Sequence, residues 1–209
     1  MLHFEAIEPE TLELLRSIQK RPFMSQTRLV GGTALALHLG HRISVDLDFF
    51  GTWHPLDALE DELSQCGCLV RHDSTARLQF FEVNGVKVDC VTYEYPWLEE
   101  PVSSEGVRIA GLKDIAALKI NAITNRGTRK DFVDFAFLLG SFQFSDLFNW
   151  YLKKYGNVNP ALALRSLVYF CDAEDMPMPR MLVPFDWEGA KDRIVKSVRA
   201  FVVNHQVDR

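Results

Sequence analysis

Apolar and polar positions along the chain change rhythm near residue 110. Before it, helical and extended spacings alternate. Residues 9–20 place Leu12, Leu15 and Ile18 three apart, which predicts an amphipathic helix. Leu29-Val30 is a short apolar run that stops at two glycines, and 34–39 follows as a nearly all-apolar helix ended by Gly40. Positions 45–50 alternate apolar and acidic side chains, the period of a strand. Helical spacing returns over 56–65, with charges on one side. The sharpest local signal is the pair of strand-like runs 77–83 and 86–93, joined by Asn84-Gly85. That dipeptide suits a two-residue type I′ hairpin turn, whose two central residues both take positive φ.

After residue 110 the strand spacing fades. Residues 112–125, 129–139, 143–155, 160–171 and 187–204 read as helices between Gly, Pro or Asn breaks, with 176–184 as a Pro-rich connection. The pattern predicts an α+β fold: a sheet-bearing lobe over 1–110, then a helical lobe over 111–209.

Bulk properties narrow the function classes. Hydrophobic residues make up 47% and charged residues 24% of the 209, ordinary for a chain that buries a core. No apolar run approaches the roughly 20 residues of a membrane span. Glu5, Glu8 and Glu10 stand where a secretory signal would be basic and apolar, so a cytoplasmic protein without a membrane partner is expected. The four cysteines, Cys66, Cys68, Cys90 and Cys171, have neither disulfide-framework nor zinc-finger spacing and read as reduced thiols. A net charge of −5 argues against a general nucleic-acid binder, so any such partner is gripped by a local patch.

Candidate chemistry centres on Asp46 and Asp48. Positions i and i+2 of a strand share a face, so two carboxylates converge between the apolar Val45, Leu47, Phe49 and Phe50. Such a pair is costly unless cations neutralise it, and two Mg²⁺ ions with a phosphate-bearing substrate would do so. Asp89, after Val86-Lys87-Val88 on the second hairpin strand, supplies a third carboxylate. Upstream, Gly31-Gly32 lets the backbone approach a phosphate, and a helix opening at Thr33 would aim free N–H groups and a hydroxyl at it. Twelve residues separate Thr33 from Asp46, room for a short helix that returns to an adjacent strand. Arg42, with Ser44 beside it, either touches a phosphate or pairs with a carboxylate.

A second group lies in the helical half. Lys119, Ala122 and Arg126 fall on one helix face. Lys130, Asp131 and Asp134 sit in a helix that is apolar nearly all round. Two readings stay open: a structural ion-pair network tying two helices, or a cationic wall on the phosphate pocket with Lys119 as its leading contact. In either, Asp131 and Asp134 orient cations rather than bind metal. His38 reads as a satisfied core histidine, and Phe132, Phe135, Phe137, Phe142, Phe144 and Phe148 as core rather than a base-stacking platform.

The stretches GGTALALHLGHRISVDLDFF, VKVDCVTY, LKINAI and RGTRKDFVDFAFLL together resemble the AbiEii/AbiGii toxin family of nucleotidyltransferases, within the DNA polymerase β-like superfamily. The likeness runs over about residues 30–139. It implies a nucleotidyltransferase-type mixed sheet in the first lobe and a helical second lobe that completes the active-site cleft. It also implies Gly32 and Thr33 as part of the nucleotide-holding turn, Asp46 and Asp48 as its metal ligands, and Asp89 as the carboxylate of the second motif. Lys119 matches the family's Lys-x-x-Ala motif, Lys130, Asp131 and Asp134 its Lys-Asp-x-x-Asp motif, and Arg126 the arginine ahead of it. Thr33 stands where serine is also usual, and the hydroxyl is kept.

The expected activity is Mg²⁺-dependent transfer of a nucleoside monophosphate from a nucleoside triphosphate (NTP) to an acceptor hydroxyl, with pyrophosphate released. The resemblance implies a toxin of a toxin–antitoxin or phage-defence system, with transfer RNA (tRNA) as one acceptor and an antitoxin as partner. A protein or small-molecule hydroxyl, such as an aminoglycoside's, is the alternative acceptor. A non-catalytic nucleotide-binding module is the alternative of another class. Acceptor choice is expected to reside beyond Leu139.

Overall fold

A computed structural model describes residues 2–53, 58–72 and 74–206. The chain divides into two compact units, Met1–Gly111 and Leu112–Arg209.

The first unit is built on one mixed sheet. Its strands are β1 (Thr27–Val30), β2 (Leu47–Gly51), β3 (Leu69–Arg71), β4 (Leu78–Val83), β5 (Val86–Thr92), β6 (Val102–Ser104) and β7 (Val107–Ile109). They lie in the order β3-β4-β5-β2-β1-β7-β6, which puts β2 in the middle. It runs antiparallel to β1 and parallel to β5. A parallel neighbour requires a crossover. Here the chain between β2 and β5 supplies helix α3 (Ala58–Ser64), β3 and β4. Along β2, Leu47, Phe49 and Gly51 are buried while Asp48 and Phe50 are half-exposed, so one face builds core and the other carries the acid.

The β4–β5 hairpin forms as its dipeptide predicts: Val83 pairs with Val86, and Asn84 and Gly85 take φ of 52° and 80°. A second turn of this kind, at Glu105 and Gly106 (φ 50° and 79°), joins β6 to β7. Those two strands were not expected, because three-residue strands are too short to show alternation. The strand expected over 45–50 begins two positions late, at Leu47. Val45 is 52% exposed, outside the buried run. Helix α1 (Pro9–Gln19) buries Thr11, Leu14, Leu15 and Ile18. Helix α2 (Gly31–Leu39) starts at the first glycine, two residues before Thr33, and ends at Gly40 with φ 61°. Of the helix expected over 56–65, residues 56 and 57 lie outside the described residues.

The second unit is helical: α4 (Leu112–Asn125), α5 (Arg129–Ser141), α6 (Phe144–Tyr155), α7 (Pro160–Ser166), α8 (Cys171–Glu174) and α9 (Trp187–Gln206). The single helix expected over 160–171 is broken between Ser166 and Cys171. The break lets Phe170 pack against Phe132, with ring centroids 4.8 Å apart, and against Trp187. Tertiary aromatic burial outweighs the modest gain from continuing a helix. Phe132, Phe135, Phe144 and Phe148 are core, as expected. Phe137 and Phe142 are only half-buried; Phe137 stacks on Phe185 at 5.5 Å. Among the described residues no helix is long and apolar enough to cross a membrane.

Lys154 of α6 and Asp114 of α4 form an ion pair at 2.6 Å with both side chains wholly buried. Removing one partner strands the other charge in an apolar surround. Lys154→Met is expected to cost about 3–5 kcal/mol in urea unfolding, and Lys154→Met with Asp114→Leu markedly less.

Candidate active site

The β2–β5 register sets Asp48 directly beside Asp89. In-register residues on parallel neighbours project to the same face, so both carboxylates stand on the half-exposed face of the central strands. On the other side Asp48 pairs with Val30, the last residue before the Gly31 turn. Asp46 lies just ahead of β2, and its backbone carbonyl accepts a hydrogen bond from the Thr33 hydroxyl.

Asp89 has two unlike oxygens. Its Oδ2 lies 2.9 Å from Nζ of Lys87, while Oδ1 is buried without a hydrogen-bond partner. The hydrogen bond to Asp89 raises the Lys87 ammonium above its ordinary pKa despite some desolvation, and the charges of Asp89, Asp46 and Asp48 add to the rise. All three acids therefore act on one lysine. Burial pushes the Cys90 thiol well up, with Asp89 and Asp48 reinforcing it, so that thiol is no nucleophile. Lys87 is the residue that sequence reasoning passed over. The signal was present, since Lys87 and Asp89 are two apart on a strand and must share a face.

The glycine turn is tight for a reason internal to the protein. Gly31 has φ +71°, and a Cβ there would lie 2.1 Å from Oδ2 of Asp48. A Cβ on Gly32 would lie 2.4 Å from Nη2 of Arg42. The two glycines thus let a carboxylate and a guanidinium approach the start of α2. A carboxylate at the N-terminal end of a helix is favoured by the helix dipole. Arg42 is 4% exposed, and its Nη1 donates to the Ile43 carbonyl at 3.1 Å. Thr33 is buried, and its Oγ1 lies 2.9 Å from Oγ of Ser44. A hydroxyl has one proton and a carbonyl can only accept, so Thr33 donates to Asp46 and Ser44 donates to Thr33. In this geometry the Thr33 hydroxyl holds the acidic segment. Ser44 is anchored in turn by its N–H to the Ala6 carbonyl at 3.0 Å.

In the second unit the structural network predominates around Lys119. Its Nζ lies 3.2 Å from Asp131 Oδ1 and 2.6 Å from Asp134 Oδ2, with all three side chains buried. Asp131 also accepts two bonds from Arg126, at 3.0 and 3.2 Å, and one from Thr128 at 2.6 Å. Burial alone would raise the Asp131 carboxyl. The Lys119 charge and the Arg126 and Thr128 bonds outweigh burial and hold it at about 2. Arg126 keeps 58% of its side chain exposed, and Lys130 is exposed.

A half-buried acidic pair on central strands, set against a glycine turn, invites comparison with known proteins. The family described as "Nucleotidyl transferase AbiEii toxin, Type IV TA system" matches residues 13–202. The chain belongs to this AbiEii family. It is therefore a nucleotidyltransferase, of a family that generally works on a nucleoside triphosphate with a divalent metal. An uncharacterized protein of Aquifex aeolicus is 33% identical, covering 95% of this chain and 98% of that one. The fold is shared with MenT4, a nucleotidyltransferase toxin of Mycobacterium tuberculosis (TM-score 0.60, 15% identity, 89% of this chain and 79% of that one). It is also shared with a putative nucleotidyltransferase of Helicobacter pylori (TM-score 0.56, 17% identity, 100% and 99%). A third match is ANT(2'')-Ia, solved in complex with adenylyl-2''-tobramycin (TM-score 0.55, 14% identity, 69% and 95%).

The residues present fit a divalent metal. Asp46, Asp48 and Asp89 offer hard oxygen donors, and Oδ1 of Asp89 is buried with no hydrogen-bond partner. Among the described residues, no three His, Cys, Asp or Glu side chains are already gathered as a metal-binding group.

Two outcomes follow from this geometry. Gly31→Ala should strain the positive φ by about 1–2 kcal/mol and turn Asp48 aside. Nucleotidyl transfer should then fall at least about tenfold while the far-ultraviolet spectrum stays native, a loss of some 1.4 kcal/mol in transition-state stabilisation. For Asp131, a folded pKa depressed from 3.8 to about 2 contributes stability above the higher value and loses it as pH falls through the lower. The stability gap between wild type and Asp131→Asn, read by urea unfolding, should therefore narrow by about 2 kcal/mol from pH 5 to pH 2.

Proposed function

We propose that this AbiEii-family chain transfers a nucleoside monophosphate from an NTP to a tRNA hydroxyl, using Mg²⁺, and acts as the toxin of a toxin–antitoxin or phage-defence system. The observation that carries the reading is the in-register pair Asp48–Asp89 beside Gly31, with one Asp89 oxygen buried and unpartnered. Asp46, Asp48 and Asp89 would hold two Mg²⁺ ions, which when bound supply Lewis acidity and offset charge on the triphosphate.

The chain's own residues account for the rest. Asp89 orients the acceptor hydroxyl and receives its proton. The hydroxyl oxygen bonds to the α-phosphorus while the bond from that phosphorus to the bridging oxygen breaks, releasing pyrophosphate. Gly31 and Gly32, at the N-terminal end of α2, present backbone N–H groups to the triphosphate. Arg42 adds positive charge behind that turn, while Thr33 and Ser44 hold the Asp46 segment in place. Lys119 acts as a positioning residue: with Asp134 it fixes Asp131, which aims Arg126. Lys130 lies on the exposed side of α5.

An RNA acceptor is supported by a hollow of about 270 Å³ in the second unit, lined by Arg126, Arg165, Tyr169, Asn125, Ser166 and Asp172. Two guanidinium groups beside an exposed aromatic ring match what a phosphate and a stacked base require. A local patch of this kind reconciles RNA binding with a net charge of −5.

Incubation with each α-labelled NTP, Mg²⁺ and total tRNA, followed by separation of RNA, protein and small-molecule fractions, tests the proposal. Label should enter the RNA with pyrophosphate released. Asp48→Ala and Asp89→Asn should each lower the rate by at least about a hundredfold, some 2.7 kcal/mol. Transfer that survives Asp48→Ala, or label confined to protein or an aminoglycoside, would overturn the metal-site or acceptor assignment respectively.

A further inference from the structure

We propose that Lys87 is the built-in counter-ion of the acidic site: it neutralises the carboxylates before metal arrives, leaves them when metal binds, and then contacts the triphosphate. This rests on the reading of Asp46, Asp48 and Asp89 as metal ligands.

Strand period puts Lys87 and Asp89 on the same face of β5, and the four-carbon lysine stem brings Nζ to 2.9 Å from Asp89 Oδ2. The same ammonium feels the charges of Asp46 and Asp48. It is placed where a metal would be most attracted. A divalent ion held by these carboxylates would sit within a few ångströms of the ammonium, and two cations that close repel each other. One must yield, and Lys87 is able to: its side chain is 56% exposed, against 14% for Asp89. Displaced by only a few ångströms, the ammonium remains beside the ion, where a triphosphate would bring its negative oxygens.

Two affinities should therefore move in opposite directions. With the full chain and Mn²⁺ alone as probe, calorimetry should show Lys87→Met and Lys87→Gln binding the ion about tenfold tighter than wild type. That is the size of effect one neighbouring charge exerts on a carboxylate's proton affinity. Lys87→Arg should bind the ion as wild type does. In chelator, Lys87→Met should melt below wild type, and the gap should close at saturating Mn²⁺. At saturating Mn²⁺, inorganic tripolyphosphate should bind Lys87→Met several-fold more weakly. Unchanged or weaker Mn²⁺ binding by both Lys87→Met and Lys87→Gln would overturn the counter-ion role, and unchanged tripolyphosphate binding the later contact. Asp89→Asn separates the layers. If it binds Mn²⁺ like wild type, the metal-ligand reading itself fails; if it loses the ion while the Lys87 variants behave as wild type, only this inference fails.

Discussion

Asp48 and Asp89 stand side by side on parallel strands at the centre of the sheet, and the first unit is arranged around making that like-charge pair tolerable. Neighbouring strands lie about 5 Å apart, so two carboxylates at that spacing repel by about 3 kcal/mol at an effective dielectric near 20. The repulsion is offset by an ammonium from Lys87, by the N-terminal end of α2 against Asp48, and by a buried guanidinium at Gly32. Each is held by the chain itself. The unpartnered Oδ1 of Asp89 marks what those groups leave unbalanced.

That constraint changes the meaning of the glycine turn. A pair of glycines before a helix suggests backbone left bare for a phosphate. Here the space beside Gly31 and Gly32 is filled by Asp48 and Arg42, so any side chain at either position displaces a charged group first. The turn thus couples the start of α2 to the acidic strand. Thr33 adds a second link by donating to the Asp46 carbonyl. The hydroxyl at position 33 thus has a structural use of its own.

The second unit handles charge differently. It buries Lys119 with Asp131 and Asp134, and Lys154 with Asp114. Buried pairs of this kind add little net stability over well-packed apolar groups, because desolvation cancels most of the attraction. What they provide is a defined arrangement. Asp131, saturated by Lys119, Arg126 and Thr128, fixes one edge of the Arg126 guanidinium and leaves the remainder exposed. A rigidly aimed cation is worth more to a phosphate-binding surface than a mobile one, since less side-chain entropy is lost on contact.

Local physics made much of this protein legible from sequence. Asn84-Gly85 set a hairpin because few other residues accept two positive φ values in succession. The Asp46-Leu47-Asp48 alternation and the period of 3.6 beyond residue 111 likewise follow from geometry within a few residues. Tertiary structure decided what depends on distant partners. It put Asp89 level with Asp48, a register set by a pairing between strands whose numbering differs by 41. It gave the Thr33 proton to Asp46, committed Lys119 to two carboxylates, and broke the helix after Ser166 so that Phe170 could reach Phe132. It also brought the charges of Asp46 and Asp48 to bear on the Lys87 ammonium. Backbone preferences act over a handful of residues and can be read in one dimension. Charge pairing and aromatic burial act across space, and only the folded chain chooses which groups meet.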